Sequence, residues 1–221
     1  VKYNNCVMAI ATRATRLKEA SKKRREQQKA DLRAGILEAA TKLFEEKGYE
    51  GFSLRQVAEE IGYTPTTIYL YFKDKDDLLL NVVYEGFKLF GESLEAGYRS
   101  TDDVLERFRA VGWAYFNFAM ANPIHYRLMF MQRGEFLQEE PPEGHSPVID
   151  SFGVIQRVIV EGMEAGVMHQ GDVRAITTLV WANVHGVVSL ILTRSHVQVN
   201  MEEARQLFGM QLEATKRAFC I

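Results

Sequence analysis

The sequence predicts an all-α protein of about nine helices, with a small N-terminal domain of three helices followed by a larger helical domain. Apolar residues recur every three or four positions along most of the 221-residue chain, which is the period of an amphipathic helix. No stretch alternates apolar and polar residues as a half-buried strand would. Capping residues, glycines and prolines separate the periodic segments at intervals typical of helices.

The first helix is predicted over residues 16–47. Its first half is charged on all sides, whereas its second half places Ile36, Ala40 and Phe44 on one side at helical spacing. Gly48 follows, at the position where glycine commonly ends a helix. Residues 1–28 are expected to form a basic N-terminal arm, partly disordered or helical.

Two short helices and the start of a longer one complete the N-terminal domain, residues 29–80. Ser53 caps a helix that extends to about residue 61, and Gly62 interrupts it. Thr64 and Pro65 begin the next helix with a hydroxyl at the cap and a proline in the first turn. The longer helix begins near residue 75, where several aspartates complement the helix dipole. Two short helices joined by a tight turn predict a helix-turn-helix unit.

Five further helices are predicted in the C-terminal domain, residues 81–221. A stretch rich in proline and glycine, residues 134–147, is the one long loop and a candidate mobile entrance. The predicted helices cover residues 101–121, 123–133, 147–165, 172–195 and 201–219.

Charge is distributed unevenly along the chain. The formal net charge is −2, but residues 13–33 carry nine basic and three acidic residues, or +6. A basic segment beside a helix-turn-helix unit fits an arm that binds phosphates. A solvated helix face has the same composition, so both interpretations stay open.

Several classes of function find no support in the sequence. Two cysteines near opposite ends favour a reducing, cytoplasmic compartment and no disulfide. The five histidines have no metal-ligand spacing, and neither a glycine-rich phosphate loop nor a nucleophile elbow is present. We therefore expect no enzyme, no cofactor and no metal. Residues 175–193 are uncharged and long enough to cross a bilayer, but Asn183, His185 and Gly186 near the middle favour a buried helix.

The segment "TPTTIYLYFKDK", residues 64–75, combines hydroxyls and aromatic rings on a short helix. The helix-turn-helix geometry needs a small residue at the crossing, here Ala58, and a turn residue, here Gly62. The apolar residues expected to hold the helices together are Val57, Ile61, Tyr63, Ile68 and Phe72. The side chains expected to point outward are Thr64, Pro65, Thr66, Thr67, Tyr69 and Leu70, with Arg55 before them and Lys75 after them.

These outward side chains suit double-stranded DNA. Threonine and tyrosine hydroxyls donate hydrogen bonds to phosphate oxygens, threonine methyls suit thymine, and arginine suits guanine. The pattern therefore predicts a recognition helix that faces DNA with its polar side.

The segment "GFSLRQVAEEIGYTPTTIYLYFKDKDDLL" resembles the DNA-binding signature of the TetR family of bacterial transcription regulators, over about residues 32–80. The resemblance implies that Tyr69, Tyr71 and Lys75 touch phosphates. It also implies that Arg55, Thr64, Thr66 and Thr67 approach bases or backbone. Such regulators are usually homodimeric repressors that a small molecule releases. In the C-terminal domain, Trp181, His185 and Gly186 are similar to a tryptophan-x-x-x-histidine-glycine stretch found in one subgroup of the family.

A four-helix interface between two subunits is predicted from the last two helices, since residues 172–195 are too apolar for one buried face. In residues 201–219 the expected apolar stripe is Met201, Ala204, Phe208, Leu212 and Phe219.

An apolar effector cavity is predicted in the C-terminal domain, which is rich in aromatic residues and methionines. Taken singly, each candidate for its wall fits a mixed core better than a ligand site; taken together, they are plentiful enough to line a cavity. The candidates are Trp113, Phe116, Met120, Tyr126, Met129, Phe130, Met163, Trp181 and His185.

The sequence thus predicts a DNA-binding transcription regulator, acting as a repressor and homodimer on a pseudo-palindromic operator and released by an unidentified small apolar effector. Two alternatives remain. One is a helical ligand carrier or interaction module without DNA function, and the other is a DNA-binding regulator without an effector.

Overall fold

The structure, a computed structural model, describes residues 2–130, 147–193 and 200–221. The loop predicted over residues 134–147 lies outside the described residues, apart from its last position. Within the described ranges the regular elements are nine α-helices, and the β-type pairing is a single bridge between Met168 and Cys220. The all-α prediction is confirmed.

The nine helices follow one another in chain order. They are α1 (Lys2–Gly51), α2 (Leu54–Glu60), α3 (Pro65–Tyr69), α4 (Lys75–Arg99), α5 (Val104–Ala121), α6 (Pro123–Phe130), α7 (Pro147–Glu164), α8 (Val173–Thr193) and α9 (Met201–Phe219).

Helix α1 is longer than predicted, because it begins at Lys2 instead of residue 16. Its break lies at the predicted position: Gly48 has φ 67° and ψ −177°, values outside the helical region. Gly62 has φ 72° in the turn between α2 and α3. Both torsions fall where glycine avoids the steric cost of a Cβ atom, so the two glycines set the turns of the N-terminal unit.

The chain divides into two compact units, Val1–Leu79 and Leu80–Ile221. In the first unit α1 packs on α2, and α2 packs on α3. The side chains of Val57, Ala58, Ile68 and Phe72 are at most 1% exposed. Tyr63, predicted to help hold the helices together, is 49% exposed, so that prediction is wrong.

In the second unit α5 packs against α6, α7, α8 and α9, and α8 packs against α9. Phe116 of α5 and Phe208 of α9 are fully buried, with ring centroids 4.7 Å apart. Gly112 permits the close approach of these helices, because a Cβ atom there would lie 2.7 Å from Cδ1 of Leu212.

The stripe predicted on α9 for a subunit interface faces this core instead. Ala204, Phe208 and Leu212 are at most 2% exposed within one protomer, whereas Met201 at the start of the helix is 54% exposed. The predicted stripe is therefore the inner face of α9, and its assignment to an interface is wrong.

An ion-pair cluster ties α4, α5 and α7 together. The Arg107 Nη1 atom donates a hydrogen bond to Oε2 of Glu161 at 2.6 Å, and the Tyr98 hydroxyl donates to the other Glu161 oxygen. These contacts lower the pKa of Glu161 below its ordinary value, the Tyr98 hydrogen bond having the largest effect and Arg107 a smaller one. The carboxylate is therefore a stabilising charge in the folded state.

Candidate functional site

The recognition helix α3 is short and is held from one side. Ile68 is fully buried and Phe72, just after the helix, is 1% exposed. Thr64 precedes the helix in an extended conformation, with Pro65 in the first turn. The Thr64 hydroxyl does not cap the helix; it lies 3.1 Å from the Thr67 hydroxyl. Both hydroxyls can give up this weak contact with each other and form a hydrogen bond to a ligand instead.

The predicted outward residues lie at different depths. Tyr69 is 59% exposed and Leu70 is 77% exposed. The remaining side chains fall into two groups: Arg55, Thr64 and Thr66 are exposed, and Pro65, Thr67, Tyr71 and Lys75 are half-buried. Tyr63 joins them as an exposed hydroxyl that sequence reasoning assigned to the interior.

Arg55 on α2 forms an ion pair within its own helix. Its Nε atom lies 3.0 Å from Oε1 of Glu59, and both side chains are well exposed. Exposed pairs of this kind contribute at most about 1 kcal/mol. The guanidinium has further donors, so Arg55 can bind a base edge or a phosphate at little cost.

Lys75 at the start of α4 is bound by the protein itself. Its Nζ atom donates a hydrogen bond of 2.6 Å to the carbonyl of Tyr49 and lies 3.9 Å from the centroid of the Tyr49 ring. Tyr49 in turn donates to Oδ1 of Asp76, and this hydrogen bond raises the pKa of the phenol to about 12. An ammonium has three donors, so Lys75 can bind a phosphate while it keeps the contact with Tyr49.

A second group of polar side chains lies inside the C-terminal unit. The hydroxyls of Tyr115 and Tyr126 are 3.0 Å apart, and they lie 3.0 Å and 2.7 Å from Nδ1 of His185. The other ring nitrogen of His185, Nε2, lies 3.2 Å from the Ser189 hydroxyl. We refer to Tyr115, Tyr126, His185 and Ser189 as the tyrosine–histidine cluster.

The cluster is uncharged at neutral pH. Burial raises the pKa of Tyr115 far above its ordinary value, raises that of Tyr126 to about 12 and lowers that of His185. The hydrogens on Tyr115, Tyr126 and His185 each find an acceptor if Tyr115 donates to Tyr126, Tyr126 donates to Nδ1 of His185, and Nε2–H of His185 donates to Ser189. Neutral groups that both donate and accept suit the polar end of a small molecule.

Aromatic rings surround the cluster. The Trp181 ring stacks on His185 with centroids 4.9 Å apart, and Phe130 lies 5.3 Å from His185. Phe90 of α4 contacts Tyr115 edge to face at 5.1 Å. Tyr115, Ser189 and Phe90 were missed by sequence reasoning, because their spacing along the chain gives no sign that they meet.

The nine residues predicted to line an effector cavity do not lie together in the C-terminal unit. Tyr126, Phe130, Trp181 and His185 lie together in or beside the cluster. Trp113 and Phe116 instead pack on Phe208 of α9. The methionines are scattered: Met129 and Met163 are buried, and Met120 is half-buried.

A small, partly open space of about 20 Å³ lies between α5, α7, α8 and α9. It could hold about one water molecule. Its lining consists of Phe108, Val111, Gly112, Tyr115, Ile155, Val158, Val180, Val184 and Leu212, none of which was predicted. This particular space admits nothing larger than about one water molecule unless the side chains or helices around it move.

A helix-turn-helix unit with exposed hydroxyl and guanidinium groups, followed by a separate helical unit, defines the class of DNA-binding transcription regulators. Residues 36–82 match the family model described as bacterial regulatory proteins, tetR family. Residues 108–215 match the model of the tetracyclin repressor-like C-terminal domain. The chain belongs to the TetR family.

Relatives of known sequence or structure agree with this assignment. An uncharacterized HTH-type transcriptional regulator of Haemophilus influenzae is 33% identical over 97 residues, which cover 44% of this chain and about half, 52%, of that protein. The fatty acid metabolism regulator protein of Bacillus subtilis is 24% identical over 162 residues, 70% of this chain and 80% of that protein. The solved structure of the regulator FadR from Bacillus subtilis in complex with stearoyl-CoA has a TM-score of 0.66 at 20% identity, covering 82% of this chain and 96% of that one. At that identity the likeness shows the shared fold.

Proposed function

We propose that the chain is a cytoplasmic homodimeric repressor that binds a pseudo-palindromic operator and is released by a small, largely apolar effector. The observation that carries the DNA-binding part is the recognition helix, whose apolar side is buried at Ile68 and whose opposite side exposes hydroxyls. Hydroxyls and a guanidinium at this position can read base edges and hold phosphates.

The two-fold symmetry follows from the size of the recognition helix. Helix α3 has five residues, or about 7.5 Å at 1.5 Å per residue, so one subunit contacts only a few base pairs. Useful specificity needs two copies, whose symmetry requires two inverted half-sites about one helical turn or more apart.

The exposed apolar surface of helix α8 supports the proposal of a dimer. It has 21 residues, and its most apolar 18-residue window has a mean hydropathy of 1.7, yet only 22% of that window is buried. By length and composition it could cross a membrane. A soluble dimer would cover the same surface with a second copy of α8 and α9.

The exposed faces of α8 and α9 both carry large apolar side chains. Leu179 and Leu190 of α8 are 53% and 55% exposed, and Met210 of α9 is 72% exposed. Gly186 lies between the leucines, and a Cβ atom there would meet nothing within 4 Å. Two such pairs of helices can form a four-helix interface. We define the interface face as Leu179, Ala182, Gly186, Leu190, Leu207, Met210 and Ala214.

The tyrosine–histidine cluster supports the proposal that a small molecule acts as the effector. It offers neutral hydrogen-bonding groups inside a shell of aromatic rings, which fits a ligand with an apolar body and one polar group. The Bacillus subtilis relative is a regulator of fatty acid metabolism, and the FadR structure holds stearoyl-CoA. Acyl chains are therefore the first effector class to test.

The test has two stages. Duplexes bound by the protein are first selected from a random pool, which yields the operator. Stearoyl-CoA, stearate and free coenzyme A are then titrated separately into the protein–operator complex, and release is followed by fluorescence anisotropy. Release by stearoyl-CoA or stearate, but not by coenzyme A, would support the acyl class.

A Tyr126→Phe variant locates the effector site. It removes one hydroxyl from the cluster and leaves the DNA-binding unit unchanged. We expect operator affinity without effector to stay within about twofold, and the effector concentration for half release to rise about tenfold, the effect of one lost hydrogen bond. Selective operator binding with no release by any probe would favour the regulator without an acyl effector, and no selective binding would favour the helical carrier.

A further inference from the structure

One side of α1 carries a row of basic residues. Lys18, Lys22, Arg25, Lys29 and Arg33 are separated by four, three, four and four positions. At 3.6 residues per turn these spacings place all five within an arc of about 80° around the helix. The first four are exposed and Arg33 is half-buried. We refer to these five residues as the basic stripe.

The stripe begins beside the recognition unit. The Lys29 Nζ atom lies 6.0 Å from the centroid of the Tyr71 ring, and the Arg33 guanidinium lies 5.5 Å from that of Phe72. An open groove of about 790 Å³ runs between α1 and residues 61–71 of the helix-turn-helix unit, and its lining includes Arg25, Lys29, Tyr63 and Tyr71. The stripe is thus continuous with the tyrosine hydroxyls at the edge of the DNA-reading surface.

From there the stripe extends away along α1. Lys29 and Lys18 are eleven residues apart, or about 16 Å along the helix axis. That length corresponds to about five base pairs of B-DNA, which carries one charge per about 1.7 Å of axis. The stripe is therefore long enough to follow a phosphate backbone beyond the few base pairs that α3 can read.

Acidic side chains near the stripe do not cancel it. The Lys22 Nζ atom lies 3.8 Å from Oε1 of Glu26, and both side chains are more than 60% exposed. Such a pair exchanges readily for a phosphate contact. Asp31 accepts a hydrogen bond from Gln27 at 2.8 Å and lines the same groove as Arg25 and Lys29. One carboxylate against two cations leaves the charge of the groove positive.

We propose that the basic stripe binds the phosphate backbone of duplex DNA immediately outside the half-site that α3 reads, so that flanking DNA of any sequence adds to the affinity for the operator. The proposal rests on the DNA-binding function proposed above. The competing interpretation is a solvated helix face with no partner.

The test compares two matched triple variants. The stripe variant replaces Lys18, Lys22 and Arg25 by Gln, which keeps high helix propensity. The control variant replaces Arg16, Lys23 and Arg24 by Gln; these residues are also exposed but lie on the opposite side of α1. Both variants lose three positive charges, so a difference between them reports position instead of net charge.

Each protein is titrated with two duplexes, one limited to the selected operator and one with ten additional base pairs on each side. Wild type and the control variant should bind the longer duplex about tenfold more tightly than the shorter one. The stripe variant should bind both equally, and its salt slope on the longer duplex should be smaller in magnitude by about 5, at about 0.9 for each phosphate contact that the two subunits lose. Hydroxyl-radical protection should extend about five base pairs beyond each half-site in wild type and be lost in the stripe variant.

Three results would overturn the proposal: equal binding of both duplexes by wild type, equal losses in both triple variants, or an unchanged slope in the stripe variant. Binding of the short duplex separates these outcomes from a failure of the proposed function. If no protein binds it selectively, the DNA-binding function itself is wrong. Thermal unfolding of all three proteins verifies that the variants fold.

Discussion

At the scale of the residue, Lys75 connects folding with DNA binding. Its ammonium holds the Tyr49 carbonyl and ring, so Lys75→Ala should lower the free energy of unfolding by about 1–2 kcal/mol. It should also reduce the salt slope of operator binding by about one per subunit, or about two for the dimer. Lys73→Ala removes a charge two residues away whose side chain is 83% exposed, and it should leave stability unchanged. Chemical denaturation and salt titration of both variants measure the two effects, and equal stability of both would show that the Tyr49 contact contributes nothing.

Also at this scale, Glu161 should make the stability of the C-terminal unit depend on pH. Its folded pKa is lowered, so its stabilising contribution is complete above its unfolded value, about 4.5, and is lost as pH falls through the folded value. Glu161→Gln should therefore destabilise the protein by roughly 1 kcal/mol at pH 7, and the difference from wild type should shrink below pH 4. Urea denaturation across this range measures it. The same change at exposed Glu164 is the control, and a pH-independent difference would exclude the electrostatic explanation.

At the scale of the element, the outward faces of α8 and α9 should control association. Leu190→Glu with Met210→Glu places two charges on the interface face, and burying them unpaired is costly. We expect the mass measured by light scattering at micromolar concentration to fall from that of two chains to that of one, 25.2 kDa. Asn117→Glu with Gln156→Glu adds the same charge at exposed positions of α5 and α7 and should leave the dimer intact. A wild-type monomer, or a dimer that survives the first pair of changes, would contradict the assignment.

At the scale of the whole molecule, the operator and the effector should each weaken the binding of the other by the same factor. Changing a two-state population from 1:99 to 99:1 requires about 5.5 kcal/mol of differential affinity. Linkage then demands that stearoyl-CoA weaken operator binding by the factor by which the operator weakens stearoyl-CoA binding. Both affinities can be measured by anisotropy in the presence and absence of the other ligand. Independent binding of the two ligands would show that release does not follow from competition between two states of the dimer.

Much of the fold could be predicted from the chain alone, because it is encoded locally. The turns at Gly48 and Gly62 and the burial of Ile68 and Phe72 follow from cap chemistry and helical spacing, which act over a few residues. The outward position of Tyr69 and Leu70 follows from the same periodicity.

Other features depend on which helices meet. Lys75 binds Tyr49, 26 residues away, and His185 meets Tyr115 and Tyr126 across 70 and 59 positions. Periodicity identifies residues that share a face of one helix, but it contains no information on the partner that this face contacts.

Helix α9 shows the limit most clearly. The sequence by itself determined an amphipathic helix with an apolar stripe that contains Phe208. Only the tertiary structure decided what covers this stripe: Phe208 packs on Phe116 in the protomer core, and Met210 on another side of the helix is left 72% exposed. The physical reason is that burial favours the stripe with the larger complementary contact, and that complementarity exists only once α5 and α9 are packed together.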